Sequence, residues 1–302
     1  MVSVIVPSYN HAAFLKERID SILNQTFHDF ELIILDDCSP DNSRQIIEQY
    51  RNNPHVSHIV INEQNSGSTI KQWTKGINLA KGEYIWIAES DDVAEPTLLQ
   101  TLYNNMTRNQ GVVLSYCQSY NIDAQGDVVG DWEEYTRRYE PELFSRDFVM
   151  EGPEFIERCF LIKNFIPNTS AVLFRKDAFI EAGCMDGNVG YITDWLCWLK
   201  ILTRGKVAFT TQKLNRFRRH LKPNVLTKKE QGHTVYKEPH IEMRKAFARY
   251  IKKSQLPLSK KIYSRNKRFL IRNHLEQTHF LFQHKRFLKG IEYCVRCLKY
   301  IF

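Results

Sequence analysis

The chain has no run of about 18 apolar residues, so no segment reads as a membrane-crossing helix. The phosphate-cradling glycine patterns are missing too: there is no GxGxxG and no GxxxxGK followed by Ser or Thr. A nucleotide bound here needs another device for its phosphates. Cysteines are few and unpatterned. Of the seven, only Cys294 and Cys297 form a CxxC, with no second pair and no histidines at ligand spacing. That speaks against a disulfide scaffold or a zinc module and for reduced thiols in a cytosolic compartment. No basic stretch or cleavage site marks the start of the chain as a secretory signal, so a cytoplasmic protein is expected. Thirteen glycines and ten prolines in 302 residues exclude a collagen-like chain, and no repeat or low-complexity segment appears.

A hydrophobic share of 43% with 25% charged residues supports a full core. The net charge of +8 hides an asymmetry. Residues 1–204 hold 17 Lys and Arg against 29 Asp and Glu, whereas residues 205–302 hold 25 against 5. A basic C-terminal region of this kind suits a phosphate-bearing surface, of a membrane or of a nucleic acid. In residues 252–272 lysines and arginines interleave with Tyr263, Phe269, Leu270 and Ile271, the pattern of a basic amphipathic helix on an anionic membrane or of a helix packed on the rest of the chain. No RNA- or DNA-binding module signature accompanies it.

The first 115 residues alternate between two periods. Apolar runs at 2–6, 31–35, 56–61 and 84–88 read as buried strands, and helical spacing appears at 12–25, 42–53 and 68–81. This alternation predicts βαβ units on a mainly parallel sheet flanked by helices. Residues 117–165 are less regular. Strands are expected at 170–174 and 207–210, helices at 176–182 and 194–204, and a mainly helical pattern from about 235 to the end. Polar clusters fall just past three strand ends: Ser8-Tyr9-Asn10, Asp36-Asp37 and Ser90-Asp91-Asp92. Open parallel sheets bind ligands at the carboxyl ends of their strands, so the three clusters outline one site.

Asp91 and Asp92, with Glu89 two residues before, put several hard oxygen donors on one loop, which suits Mg²⁺ or Mn²⁺ holding substrate phosphates. Capping of a helix expected at 96–107 is the other reading, but residues 94–96 intervene and it covers at most one carboxylate. Asp36-Asp37 can accept an N–H from a nucleobase or cap the following helix.

Three stretches, VSVIVPSYN (2–10), QTFHDFELIILDDCS (25–39) and AKGEYIWIAESDD (80–92), together resemble family 2 of the glycosyltransferases. The resemblance covers about residues 1–225. It implies a GT-A fold and an inverting, nucleotide-sugar-dependent enzyme, with a catalytic domain over 1–225 and a basic helical extension over 226–302. By position, Pro7 and Tyr9 match residues that line the base, and Asp37 matches the carboxylate that holds it. Asp91 and Asp92 match the DxD region that meets ribose and metal, although Glu89 stands where an Asp is usual. Gln72-Trp73-Thr74-Lys75-Gly76 lacks the common Arg-Asn, which leaves Lys71 or Lys75 for the phosphates or for a solvated helix face. Asp194 in Thr193-Asp194-Trp195 matches the base that deprotonates the acceptor; a favourable helix-terminal charge is its alternative. His220 resembles a histidine that completes the metal shell or meets the diphosphate, Arg218 and Arg219 suit the diphosphate, and Asn168-Thr169-Ser170 falls on the acceptor side.

The implied activity is sugar transfer from a nucleotide-sugar donor to a glycan or lipid-linked saccharide, in surface polysaccharide synthesis. The cofactor is Mn²⁺ or Mg²⁺, and the implied location is the inner face of a membrane. The alternatives are a catalytically silent nucleotide-sugar-binding module and a nucleic-acid-binding protein acting through the basic region.

Overall fold

Three apolar runs become parallel strands covered on both faces, and the fourth, at 56–61, becomes a partly exposed parallel edge strand beside them. In the computed structural model, which describes residues 1–184, 190–219, 237–254 and 260–301, β1 (Val2–Ser8), α1 (Ala12–Leu23), β2 (Phe30–Asp36), α2 (Ser43–Glu48), β3 (Val56–Ile61), α3 (Thr69–Leu79) and β4 (Tyr84–Ile87) follow in order. Ile5, Ile33 and Leu35 point to one side, against Trp73 and Ile77 of α3. Val4, Val6, Leu32 and Ile34 point to the other, against Leu15 and Ile19 of α1. Period-2 side chains buried on both sides read in the sequence as continuous hydrophobic runs. The strand order is β3-β2-β1-β4, so the direction of winding reverses between β1 and β4 and opens a crevice at their carboxyl ends.

The second half makes the sheet mixed. β5 (Val93–Ala94), α4 (Leu98–Arg108), β6 (Val112–Ile122), β7 (Val128–Asp131), α5 (Glu133–Arg137), β8 (Phe148–Glu151) and α6 (Gly152–Phe155) precede β9 (Val172–Arg175), α7 (Lys176–Glu181), α8 (Thr193–Ile201) and β10 (Lys206–Arg218). β9 runs antiparallel between β4 and β6. β6 pairs in parallel with β10, whose free side takes β8 and then β5, both antiparallel. The strand expected at 207–210 is far longer, because β10 resumes after register shifts between Thr210 and Asn215 and reaches Arg218.

The chain closes with α9 (Glu238–Ser254), α10 (Lys260–Gln283) and α11 (Phe287–Ile301). Met243 and Phe247 of α9 and Ile262 of α10 enter the same core as Trp195 and Trp198 of α8. α11 rests on α10 through Tyr293, within a small cluster that includes Leu270 and Leu281. No described helix is long and apolar enough to cross a membrane.

Gly82 fixes the spacing of the central strands. Its N–H donates to Ser3 Oγ at 2.8 Å, and the same hydroxyl donates to Glu31 Oε1 at 2.6 Å. A Cβ at Gly82 would lie 2.6 Å from the backbone nitrogen of Ser3, an obstacle that cannot rotate away. Gly82→Ala is therefore expected to lower stability by about 1–3 kcal/mol in urea unfolding, the range for overpacking a core.

Candidate active site

The ends of β1 and β2 are stitched together. Asp37 N–H donates to Ser8 O at 2.9 Å, and Asn10 N–H donates to Ser39 Oγ at 3.0 Å. Asn10 and Cys38 hold φ of 58° and 62°, a conformation that costs non-glycine residues about 1–3 kcal/mol each and gathers at ligand sites. Asp36 is consumed locally, accepting from the N–H and Oγ of Ser39. Asp37 is a clamped acceptor. Its Oδ1 receives Asn62 Nδ2, Ser66 N and Gln72 Nε2 at 2.6–2.9 Å, while Oδ2 receives only Ser66 Oγ at 2.8 Å and keeps a lone pair for an incoming donor. Pro7 is buried within β1, and Tyr9 is exposed on the loop beyond it. Lys71 is exposed with Nζ 3.4 Å from Ser66 O, and Lys75 is tied to Asn62 Oδ1 at 2.5 Å. Both lysines of α3 therefore stand beside the loop that holds Asp37.

Past β4, Ala88 N–H still bonds Ile5 O at 2.8 Å before the chain turns into Glu89-Ser90-Asp91-Asp92. Glu89 N–H donates to Ser170 Oγ at 3.1 Å, and Glu89 Oε1 accepts Trp73 Nε1 at 3.1 Å. Asp92 is buried. Its Oδ1 accepts the backbone N–H of Arg218 at 3.0 Å, and its Oδ2 has no hydrogen-bond partner. Desolvation, then Asp91 and Asp92, push the Glu89 carboxyl up to about 8. Asp92 is raised by the same burial and by Asp91, with Arg18 opposing.

Arg18 lies on the apolar face of α1, three residues after Leu15 and four before Ile22. It is wholly buried on α1, its guanidinium lies 4.9 Å over the Trp86 ring, and none of its three side-chain nitrogens has a hydrogen-bond partner. Burial lowers it to about 10, and Asp92, Asp91 and Glu89 pull back, so it stays a cation beneath the acidic loop. Its charge opposes the upward push on Glu89 and Asp92 without overcoming it.

Asp194 stands in the first turn of α8, half-buried, with Oδ2 accepting Asn164 Nδ2 at 3.1 Å. Desolvation raises it to about 6, against the backbone N–H of Trp195 and the Asn164 amide, which favour the ionised form. The segment from Asn164 to Ser170 joins this carboxylate to the loop after β4. Asn164 holds Asp194 and Ser170 holds Glu89, and the six Cα-to-Cα steps from one to the other span at most ~20 Å. A second link is aromatic. Trp73, bonded to Glu89, stacks on Trp198, one turn along α8 from Asp194, at 6.4 Å and 22°.

Tyr9, Asp37, Asp91 and Asp92 thus sit on adjoining loops at the crevice, with Asp194 across the 164–170 segment. Arg218 differs from expectation. It is buried, stacks 4.6 Å over Phe14, and donates to Asp91 O, Asp123 O, Ala124 O and Glu17, so it clamps the acidic loop and has no fork left for a diphosphate. Arg219 is exposed, anchored by its N–H to Ile122 O. Asn168 belongs to a buried polar knot with Ser119, Asn215 and the N–H of Ala171. His220 lies outside the described residues. The roles of Asn62, Ser66 and Gln72 as partners of Asp37 escaped the sequence reading.

Among the described residues no group of three potential ligands stands ready for a metal ion. The donor chemistry nevertheless fits Mn²⁺ or Mg²⁺. These ions need only one or two carboxylates when substrate phosphates complete the shell, and here the half-buried Asp91 adjoins an Asp92 with an unpartnered oxygen.

Comparisons with known proteins agree on the fold and family. The chain is 39% identical over 210 residues to the putative teichuronic acid biosynthesis glycosyltransferase TuaG of Bacillus subtilis, covering 69% of this chain and 75% of that one. It spans 40% and 57% of the length of two further curated relatives. The structure of S. aureus TarS 1–349 in complex with UDP-GlcNAc matches with a TM-score of 0.68 at 17% identity, covering 96% of this chain and 79% of that one. The mannosyltransferase PcManGT of Pyrobaculum calidifontis, in complex with GDP-Man and Mn²⁺, matches with a TM-score of 0.56 at 13% identity, covering 99% and 75%. Both neighbours share the GT-A arrangement of a mixed sheet between helices. Residues 3–180, more than half of the chain, match the family described as Glycosyl transferase family 2, and the protein belongs to that family.

Proposed function

We propose that the protein is an inverting glycosyltransferase that moves a sugar from a nucleotide-sugar donor to a glycan or lipid-linked saccharide during surface polysaccharide assembly. The observation that carries this reading is the convergence of the clamped Asp37 and the Asp91-Asp92 loop at the reversal point between β1 and β4. TuaG, named for teichuronic acid synthesis, supports the polysaccharide context, and the UDP-GlcNAc and GDP-Man complexes of the structural neighbours support a nucleotide-sugar donor. Residues 1–225 form the catalytic unit and 226–302 a helical extension. The protein works in the cytoplasm at the inner face of the membrane.

Each side chain has a role in a single displacement. Tyr9 stacks on the base, Pro7 lines its pocket, and Oδ2 of Asp37 accepts an N–H from it. Lys71 meets the phosphates. Asp91, the more reachable of the pair, and Asp92 hold the divalent ion together with His220. When bound, that ion neutralises the diphosphate leaving group. The acceptor hydroxyl attacks the anomeric carbon as the bond to the diphosphate oxygen breaks, and Asp194 takes the hydroxyl proton.

A screen of UDP- and GDP-sugars by thermal shift, with Mn²⁺ and with EDTA, tests this. One donor at a hundredfold excess over its Kd is expected to add about 2.7 kcal/mol, and only with metal. Nucleotide release on adding acceptor must follow. Absence of any metal-dependent shift overturns the reading, and a shift without release reduces the protein to a binding module.

Activity should fall about tenfold per pH unit below pH 6, because the base must be ionised. Stability runs the other way. The folded value of Asp194 lies above its unfolded 3.8, so the folded state holds the extra proton and loses this contribution as pH rises from about 4 to 6. Rate profiles and unfolding curves across pH 4–8 check both signs.

A further inference from the structure

We propose that the outward face of α11 is a docking surface for an anionic lipid bilayer, a proposal that sharpens the membrane placement given above. The helix carries two apolar faces. Gly290, Tyr293 and Cys297 turn inward onto α10. Tyr293 Oη donates to Glu238 at 2.6 Å, and a Cβ at Gly290 would lie 2.7 Å from the Phe282 ring, so close packing fixes which side faces the protein. Roughly 130° away round the helix runs a second stripe. Phe287, Leu288, Ile291, Val295 and Leu298 are 45–85% exposed. Phe282, whose ring lies 6.1 Å from that of Phe287, continues the stripe onto α10.

The basic stretch at 252–272 is not that surface. Leu270 is buried, and Phe269 packs against the main core with Arg244 5.0 Å over its ring, so these apolar side chains already have protein partners.

Charge selects the occupant. Residues 260–302 hold 11 Lys and Arg against 2 Asp and Glu. Both acids are engaged, Glu276 with Lys237 and Arg272, and Glu292 with Arg296. A second copy docked on the stripe would bring two such cationic regions together. An anionic headgroup layer complements them while the apolar side chains enter the acyl boundary. Fifteen residues give a helix of ~22 Å, shorter than the ~30 Å hydrocarbon core, and Lys289, Arg296 and Lys299 punctuate it, so it lies in the plane of the interface.

The test is co-sedimentation of the full chain with vesicles of phosphatidylcholine alone and with about one-third phosphatidylglycerol added, at low and high salt. Binding is expected only with phosphatidylglycerol and should weaken with salt. The double variant Ile291→Glu, Val295→Glu should bind at least about tenfold more weakly, and Lys289→Gln, Lys299→Gln should lose mainly the salt-sensitive part. All variants should keep the thermal shift with donor and metal, which controls for folding. Equal binding to neutral vesicles, or a double glutamate variant that binds like wild type, overturns the proposal. So does a wild-type dimer that the glutamates dissociate while vesicles are ignored. If the donor shift fails but lipid binding behaves as stated, the catalytic reading falls and this surface stands.

Discussion

Asp194→Asn is expected to lower kcat by about 10²–10⁴-fold, the usual contribution of a positioned base, while donor affinity stays close to wild type. The change is nearly isosteric. The Asn164 amide that now reaches Asp194 Oδ2 at 3.1 Å can reach the amide oxygen of the variant. What disappears is a group able to take a proton near neutral pH. The acidic limb of the rate profile, set at about 6 by desolvation of this carboxylate, should vanish with it. Single-turnover rates and donor titration by calorimetry separate the two effects. A loss below tenfold would mean that Asp194 serves only as the favourable charge of a helix N-terminus.

β1, β2 and β4 were legible because burial on both faces leaves an uninterrupted apolar signature, as in Leu32-Ile33-Ile34-Leu35. β6 was not. Its sequence from Val112 to Ile122 carries Ser115, Gln118, Ser119 and Asn121, all buried, so the run looks like a loop until tertiary partners are known. Gln118 meets Thr136, and Ser119 meets Asn168, contacts from elements that sequence periodicity cannot bring together. β10 was cut short for a related reason, since a register shift after Thr210 breaks the alternation that marks a strand.

The acidic pairs drew notice because three polar clusters fall just past strand ends, although helix capping competed as the reading of each pair. The arginines were not read correctly. Arg18, which the sequence reading passed over, lies on the apolar face of α1 between Leu15 and Ile22, and Arg218 looked like a phosphate ligand until its donors were found on Asp91, Asp123, Ala124 and Glu17. In both cases a charged side chain went inward because an acidic loop had to be neutralised or held. That need arises from the fold, and the place of Arg18 on the apolar face of α1 was its one periodic mark. Glu89 and Trp73, two departures from the usual family pattern, also became intelligible together, since each supplies the hydrogen-bond partner of the other.

Asp91 and Asp92 should separate cleanly on mutation, although they are neighbours. Asp91→Asn is expected to abolish the metal-dependent donor shift and to lower turnover by about 10²–10⁴-fold, since ion-assisted leaving-group stabilisation contributes several kcal/mol. Its effect on folding should be neutral or favourable. The Asp91 charge raises both Glu89 and Asp92, so removing it relieves that repulsion and offsets the attraction to Arg18 that is lost with it. Asp92→Asn should do the reverse in stability. The amide oxygen can still accept the Arg218 N–H, but the new NH₂ enters the place of a carboxylate oxygen whose charge favours the Arg18 cation. Leaving that buried donor without an acceptor costs about 1–3 kcal/mol. Urea unfolding of the two variants without metal, beside thermal shifts with Mn²⁺ and donor, reads the contrast directly. If Asp91→Asn retains the Mn²⁺-dependent shift, the ion is held elsewhere and Asp91 is only a member of the acidic loop.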